Sequence, residues 1–378
     1  MDGKSYPTLA AAVAALGTSC GTVTLASGVY RLKEQLTIRP CQQIRGVGNY
    51  SSYKGAGEGQ GSVISYTGSG AAIAIASRED INANTSRTLE DLTISGTSSK
   101  GTGVFIGGDP SGSITPATAW APGVTLDSVN IVGFAHAIQF GNNTWSDSFD
   151  HFTASYSSGD EIFWSGTLTN SGEALAFSHF NIFNSAAAAF NHASRGDITE
   201  VQLSLGRCDY NALGCGRASQ GIAITSSQNH YEGKSVAFWT FTAPVQFSSM
   251  SDDYLIGAPV RTDTIVYDAG GNSQISLFSP EIYSTTRIHY FVDLAGPFLS
   301  SDTISILFPR WNGNTPYGYT NAPATQPGVT ILDPNNKTFQ LGATNLSIGG
   351  SPGFTGSTKI GGCEVEIKAG IITSLTGC

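Results

Sequence analysis

A short strand-like segment recurs along this chain, and that recurrence constrains the fold more than any other feature. Leu92-Thr-Ile, Val129-Asn-Ile, Phe152-Thr-Ala, Phe180-Asn-Ile, Cys208-Asp-Tyr and His230-Tyr-Glu follow one another at steps of 37, 23, 28, 28 and 22 residues. Such a period is the mark of a solenoid whose coils each contribute about three short strands. Alternation within the segments places Val124, Leu126, Val129 and Ile131 inward, then Phe177, Phe180 and Ile182, then Leu203, Leu205, Cys208 and Tyr210. A three-residue step from Leu126 to Val129, Phe177 to Phe180 and Leu205 to Cys208 marks the same corner each time. A β-sandwich would supply short strands but no constant corner.

Composition agrees with an all-β chain. Only 12% of residues are charged, against the usual ~25%, and Gly reaches 46 of 378 residues. β-formers and turn-formers dominate over Lys and Glu. The net charge of −9 disfavours nucleic acid as a partner, because phosphates demand Lys and Arg. No apolar run approaches the ~20 residues of a membrane span. The six cysteines fall into three neighbouring pairs, Cys20 with Cys41, Cys208 with Cys215 and Cys363 with Cys378. Lacking the CxxC spacing of zinc sites, they are expected to form disulfides in an oxidising, extracellular setting. No signal peptide opens the chain, so Met1 is expected to follow a removed leader or to be an introduced start.

An Ala-rich helix is expected over residues 5–17, capped by Ser5 or Thr8 and ended by Gly17. After it come Gly21-Thr-Val-Thr-Leu-Ala-Ser-Gly-Val-Tyr-Arg-Leu, Leu36-Thr-Ile and Ile44-Arg-Gly-Val-Gly. This order resembles the opening of the pectate-lyase-like right-handed parallel β-helix superfamily, found in secreted polysaccharide-active enzymes and phage tailspike depolymerases. The likeness is close over roughly the first 50 residues and persists beyond them as rhythm. It implies an all-β fold: a single-stranded right-handed parallel β-helix with an N-terminal capping helix and a small C-terminal β appendage. The expected division is a capped β-helix over 1–310 and a loop with the appendage over 311–378. With both ends covered, the chain is expected to be a monomer, or a homotrimer if it is a tailspike.

Inward side chains fill such a core, so a substrate must bind outside. Arg207-Cys-Asp209, His230-Tyr-Glu232 and Glu281-Ile-Tyr283 each carry polar groups on one face. If they stack, Asp209, Glu232 and Glu281 share one exposed column. Paired carboxylates are what glycosidic-bond hydrolysis needs, about 5 Å apart for retention and about 9 Å for inversion. Asp209, Glu232, His230 and Glu281 are therefore the candidate catalytic residues. Asp150, His151, Asn181, Arg207, Asp252, Asp253, Tyr283 and Trp311 are candidates for substrate binding. A polysaccharide lyase is the alternative, with His230 as base, Arg207 or Arg217 neutralising a uronate and Tyr283 as acid. A non-catalytic carbohydrate-binding or spike module is the third reading. The resemblance brings no catalytic set with it: no Gly-His-Gly with an Asp-Asp partner is present, and Arg39-Pro40 lies in the first rungs. No metal or other cofactor is expected.

Overall fold

The computed structural model describes residues 5–48, 61–78, 87–96, 99–168, 171–193, 199–233, 237–256, 264–284, 288–296, 298–313, 318–322 and 328–333. It also gives the backbone of strands at 338–341, 347–348, 351–352, 356–360, 363–368 and 371–376.

Inward apolar residues at every second position drive the chain into a coil with three parallel sheets. The first sheet begins with Gly21–Thr24 and Gln42–Arg45 and runs through Ser148–Asp150, Leu175–Ser178, Ile222–Ser227 and Val245–Met250. The second takes in Thr153–Ser155, Asn181–Phe183, Arg207–Asp209, His230–Gly233, Asp253–Ile256, Glu281–Ser284 and Arg310–Gly313. The third has ten strands, from Leu36–Ile38 to Tyr290–Leu294. Leu89–Gly96 and Thr125–Val132 run through the first corner, so the first two sheets merge into one of 22 strands. Val329–Asp333 still pairs in parallel with Thr303–Leu307, and the antiparallel pairs begin with Thr338–Leu341. We propose the two-part division of the chain on the change from parallel to antiparallel pairing that follows.

The corner between the first and second sheets is one left-handed residue per coil. Ser128, His151, His179, Leu205, Gln228, Ser251 and Ser279 hold φ between 48° and 56°. A non-glycine residue in this region costs about 1–2 kcal/mol, which the pairing of each coil with its neighbours offsets. The corner corrects two inward assignments. Leu205 is itself the turning residue and stands 51% exposed, and Tyr210 turns the next corner at φ 57° and stands 37% exposed. The inward step here runs from Leu203 to Gly206. In the two preceding coils that second position holds Phe152 and Phe180, and a Cβ on Gly206 would meet the Phe180 ring at 2.3 Å.

Like residues stack along the core. Phe149 lies on Phe177 at 4.5 Å between centroids, and Tyr231 on Tyr254 at 5.2 Å. Burying each such ring contributes roughly 1.5–3 kcal/mol. The N-terminal helix spans Leu9–Leu16, with the Thr8 hydroxyl accepting from Ala11 N at 3.1 Å and Gly17 leaving at φ 58°. It buries Leu9 and Val13 over the first coil. The Cys20–Cys41 and Cys208–Cys215 disulfides are present. The expected Cys363–Cys378 pair lies outside the described residues.

Candidate active site

Each strand of the second sheet presents two outward positions, and parallel pairing turns them into two rows. The first row reads Thr153, Asn181, Arg207, His230, Asp253, Glu281, Arg310. The second reads Ser155, Phe183, Asp209, Glu232, Leu255, Tyr283, Asn312. Asp209 and Glu232 are therefore neighbours on adjacent coils. Glu281 lies two coils further on and in the other row, so the three carboxylates do not form the single column expected from the sequence.

Around Asp209 the rows converge. One oxygen each of Asp209 and Glu232 and one ring nitrogen of His230 lie within 4.8 Å of one another. Arg207 Nη2 stands 3.1 Å from Asp209 Oδ2. Asp209 is only 7% exposed, and its Oδ1 has no hydrogen-bond partner among the described residues. Burial raises its pKa above the ordinary 3.8, with the Arg207 charge pulling the other way. Glu232, half-buried, accepts a hydrogen bond from the Tyr210 hydroxyl. That contact follows from the corner: the left-handed Tyr210 directly after Asp209 swings its ring over the next coil, and its backbone N donates to Glu232 O at 2.9 Å. The Cys208–Cys215 bridge and Asn211, which accepts from Ser185 N at 2.9 Å, hold the turn from within.

His230 is pushed below its ordinary 6.5, first by burial and then by Arg207, with Asp253 opposing. Its imidazole is thus neutral at pH 7. Asp253 is raised by burial and by the Glu281 charge, with His230 opposing. Tyr283 donates to Glu281 Oε1 at 2.5 Å.

The structure places the other candidates less uniformly. Asn181 and Asp253 face outward in the first row, half-buried, and Tyr283 is exposed in the second. Asp150 and His151 lie at the edge of the first sheet, at the corner before the groove. Asp252 does not face the groove. Consecutive residues of a strand point to opposite sides, and Asp252 takes the inward side with 0% exposure. There it accepts hydrogen bonds from Asn229 N at 2.8 Å, from Ser249 Oγ at 2.8 Å and from Ser226 Oγ. Burial raises its pKa to about 6, against these donors. Trp311 is also corrected: it pairs with the buried Ile282, packs against the core and meets Phe291 at 6.5 Å. Its neighbour Tyr319 likewise packs inward, bonded to Asp333. Tyr210, reaching over the second row from its corner, was not expected there, and neither were Phe183 and Arg310 in the rows. The first was missed because a tyrosine after a strand reads as core.

Two groups bring together side chains of metal-ligand type, Asp209 with His230 and Glu232, and Asp150 with His151 and His179. In the first, the Arg207 guanidinium already stands against the buried carboxylate, which suits proton transfer better than a cation.

Fold and site together define a class: a parallel β-helix bearing outward rows of carboxylates on its second sheet. No protein-family model matches the chain, and no curated protein matches it. Among solved structures, the gp42 tailspike of Acinetobacter phage vb_AbaP_AS12 is similar with a TM-score of 0.52 and 11% identity over 90% of this chain, which spans 62% of the tailspike's length. The A-module of the Azotobacter vinelandii mannuronan C-5 epimerase AlgE4 has a TM-score of 0.44 and 12% identity, covering 83% of this chain and 93% of that one. The Streptococcus pneumoniae adhesin PfbA has a TM-score of 0.40 and 12% identity, covering 82% and 94%. At such identity the tailspike likeness shows the fold alone, the right-handed parallel β-helix.

Proposed function

We propose that this protein acts on a polysaccharide and hydrolyses its glycosidic bonds at Asp209 and Glu232. The observation that carries the reading is the pairing of two carboxylates on adjacent coils in unlike surroundings. Asp209 is buried with one oxygen unpartnered, and burial raises its pKa against the Arg207 charge, which suits it to the acid's role. Glu232, by contrast, accepts a hydrogen bond from the Tyr210 hydroxyl. Unequal carboxylates of this kind divide the work of acid and nucleophile. Asp209 protonates the leaving glycosidic oxygen while Glu232 attacks the anomeric carbon. The ionised Asp209, steadied by Arg207, then takes a proton from water as that water displaces Glu232. Approach within 4.8 Å suits retention, for which carboxyl groups stand about 5–5.5 Å apart. His230 and Glu281 assist from the neighbouring row, and Asn181 and Asp253 along that row, with Tyr283 in the other, contact the chain of sugars.

A lyase reading rests on a different observation. His230 is neutral and is the strand partner of Arg207, an arrangement able to abstract a proton beside a uronate held by the guanidinium. The reactions differ in product. Incubation with a panel of plant, algal and bacterial polysaccharides should release reducing ends without new ultraviolet absorbance. Unsaturated, absorbing products would replace hydrolysis with elimination. No cleavage of any polymer, with binding retained, would make the chain a carbohydrate-binding or spike module.

A setting outside the cytoplasm belongs to the same proposal, supported by the two disulfides. So does a monomeric state, which light scattering checks. No helix among the described residues is long and apolar enough to cross a membrane.

A further inference from the structure

At the corner between the first and second sheets, His151 and His179 occupy the same left-handed position on successive coils, each at φ 48°. Their rings stack with centroids 4.6 Å apart and planes 9° from parallel. Both turn Nδ1 toward one carboxylate: His151 to Asp150 Oδ2 at 3.0 Å and His179 to Asp150 Oδ1 at 2.9 Å. Ser178 Oγ adds a third donor to Oδ1 at 2.7 Å. With Asp150 as the shared acceptor, each histidine donates from Nδ1. The end of each ring not engaged by Asp150 is Nε2, and the two side chains are 59% and 47% exposed.

We infer that His151 and His179 form a binding site for a divalent transition cation of the Zn²⁺, Ni²⁺ or Cu²⁺ type. The ligands are the two Nε2 atoms, and Asp150 is the carboxylate behind the rings that fixes both tautomers. Imidazole suits these metals, and a ligating histidine ordinarily gives its other N–H to a carboxylate. Here one carboxylate serves two rings. Two metal–nitrogen bonds of about 2.0–2.1 Å reach across about 4 Å at most. In the stack the two Nε2 lone pairs run side by side, so binding one ion turns the exposed rings out of parallel until both face a shared point. Asp127, the strand partner of Asp150, adds negative charge nearby and is itself paired with Arg87 at 3.0 Å. The remaining coordination positions face solvent, open to water or to an oxygen of a saccharide. The site is separate from Asp209, His230 and Glu232.

Isothermal titration of the intact, chelator-treated protein with ZnCl₂ and with NiCl₂ tests this. One equivalent should bind, His151→Ala and His179→Ala should each abolish that event, and Asp150→Asn should weaken it roughly 10–100-fold by losing the tautomer lock. Circular dichroism of each variant checks that the fold is kept. His230→Ala, which removes the imidazole of the other cluster, should leave the isotherm unchanged. Absence of binding at millimolar metal overturns the inference, as does an isotherm unaltered in the His151→Ala/His179→Ala double variant or one lost with His230 instead.

Discussion

Asp209 and Glu232 are strand partners on adjacent coils of the second sheet and face the same way, one buried against Arg207 and the other half-buried under Tyr210. Burial raises the Asp209 pKa against the pull of Arg207, while the Tyr210 hydroxyl reaches over to Glu232. The division of labour proposed for the groove follows from this difference.

Arg207 tunes the pair. Its charge lowers the pKa of both Asp209 and His230. Arg207→Ala should therefore raise both. The activity of an enzyme that needs Asp209 protonated falls as pH rises through that pKa, so the alkaline limb of the pH–rate profile should move to higher pH in the variant. An alkaline limb that stays in place or moves down would mean Asp209 is not the acid. Arg207→Lys should restore most of the original profile.

Stereochemistry is a second check. The closeness of Asp209 and Glu232 calls for retention of configuration, read by proton NMR of the first-formed reducing ends. Inversion would require a water between more distant groups and would point to a different pair, such as Glu232 with Glu281 two coils away.

Glu161, fully buried, accepts from Ser157 N at 3.0 Å and Ser157 Oγ at 2.6 Å, and burial raises its pKa from 4.5 to about 8. Between these values the folded chain holds a proton that the unfolded chain has released. Stability therefore falls as pH rises through this window, by at most about 1.4 kcal/mol per pH unit. Glu161→Gln, which keeps the shape and both hydrogen-bonding partners, should flatten the decline of melting temperature between pH 5 and 8. An unchanged slope would contradict the assignment.

The two disulfides should separate function from stability. The chain-entropy relation gives about 2.5 kcal/mol for the Cys208–Cys215 loop and about 3.4 for Cys20–Cys41. Paired alanines at 20 and 41 should lower the melting temperature and spare activity, since that bridge clips the first coils. Paired alanines at 208 and 215 should reduce activity by more than their effect on melting suggests, because they release the turn that places Asp209 and Tyr210. Peptide mapping under non-reducing conditions confirms the pairing.

Asp252 supplies a structural contrast. Asp252→Ala leaves the Ser226 and Ser249 hydroxyls and Asn229 N without their buried acceptor and should cost roughly 2–4 kcal/mol in urea unfolding. A loss of cleavage at unchanged stability would mean that Asp252 serves the groove after all.

Much of the architecture was legible because a solenoid repeats its instructions. Val124, Leu126, Val129, Ile131, Phe177, Phe180 and Ile182 all face inward, as alternation and the corner step require. The reading slipped where a corner carries an apolar residue. Leu205 and Tyr210 look like core, yet each sits at a left-handed turn whose side chain points out. The same slip merged two outward rows into one column, since a strand with residues such as Arg207 and Asp209 offers two outward places and not one. Trp311 misled in the opposite sense: polar neighbours suggest exposure, but strand alternation and packing on Phe291 turn it inward. His179 was overlooked although it follows His151 by 28 residues, the same step that separates Phe152 from Phe180. The tyrosine over Glu232 and the lone oxygen of Asp209 depend on side-chain packing between coils, which periodicity does not encode.

The central claim is tested most directly by the release of reducing ends from a cleavable polysaccharide by the intact protein, its Glu232→Gln variant and its Asp209→Asn variant. Each substitution should lower the rate at least 100-fold while circular dichroism and polymer binding stay as in the parent, with loss of acid–base assistance alone accounting for roughly 10²–10⁴. Cleavage by either variant at the parent's rate would contradict the assignment of these two carboxylates as the reacting pair.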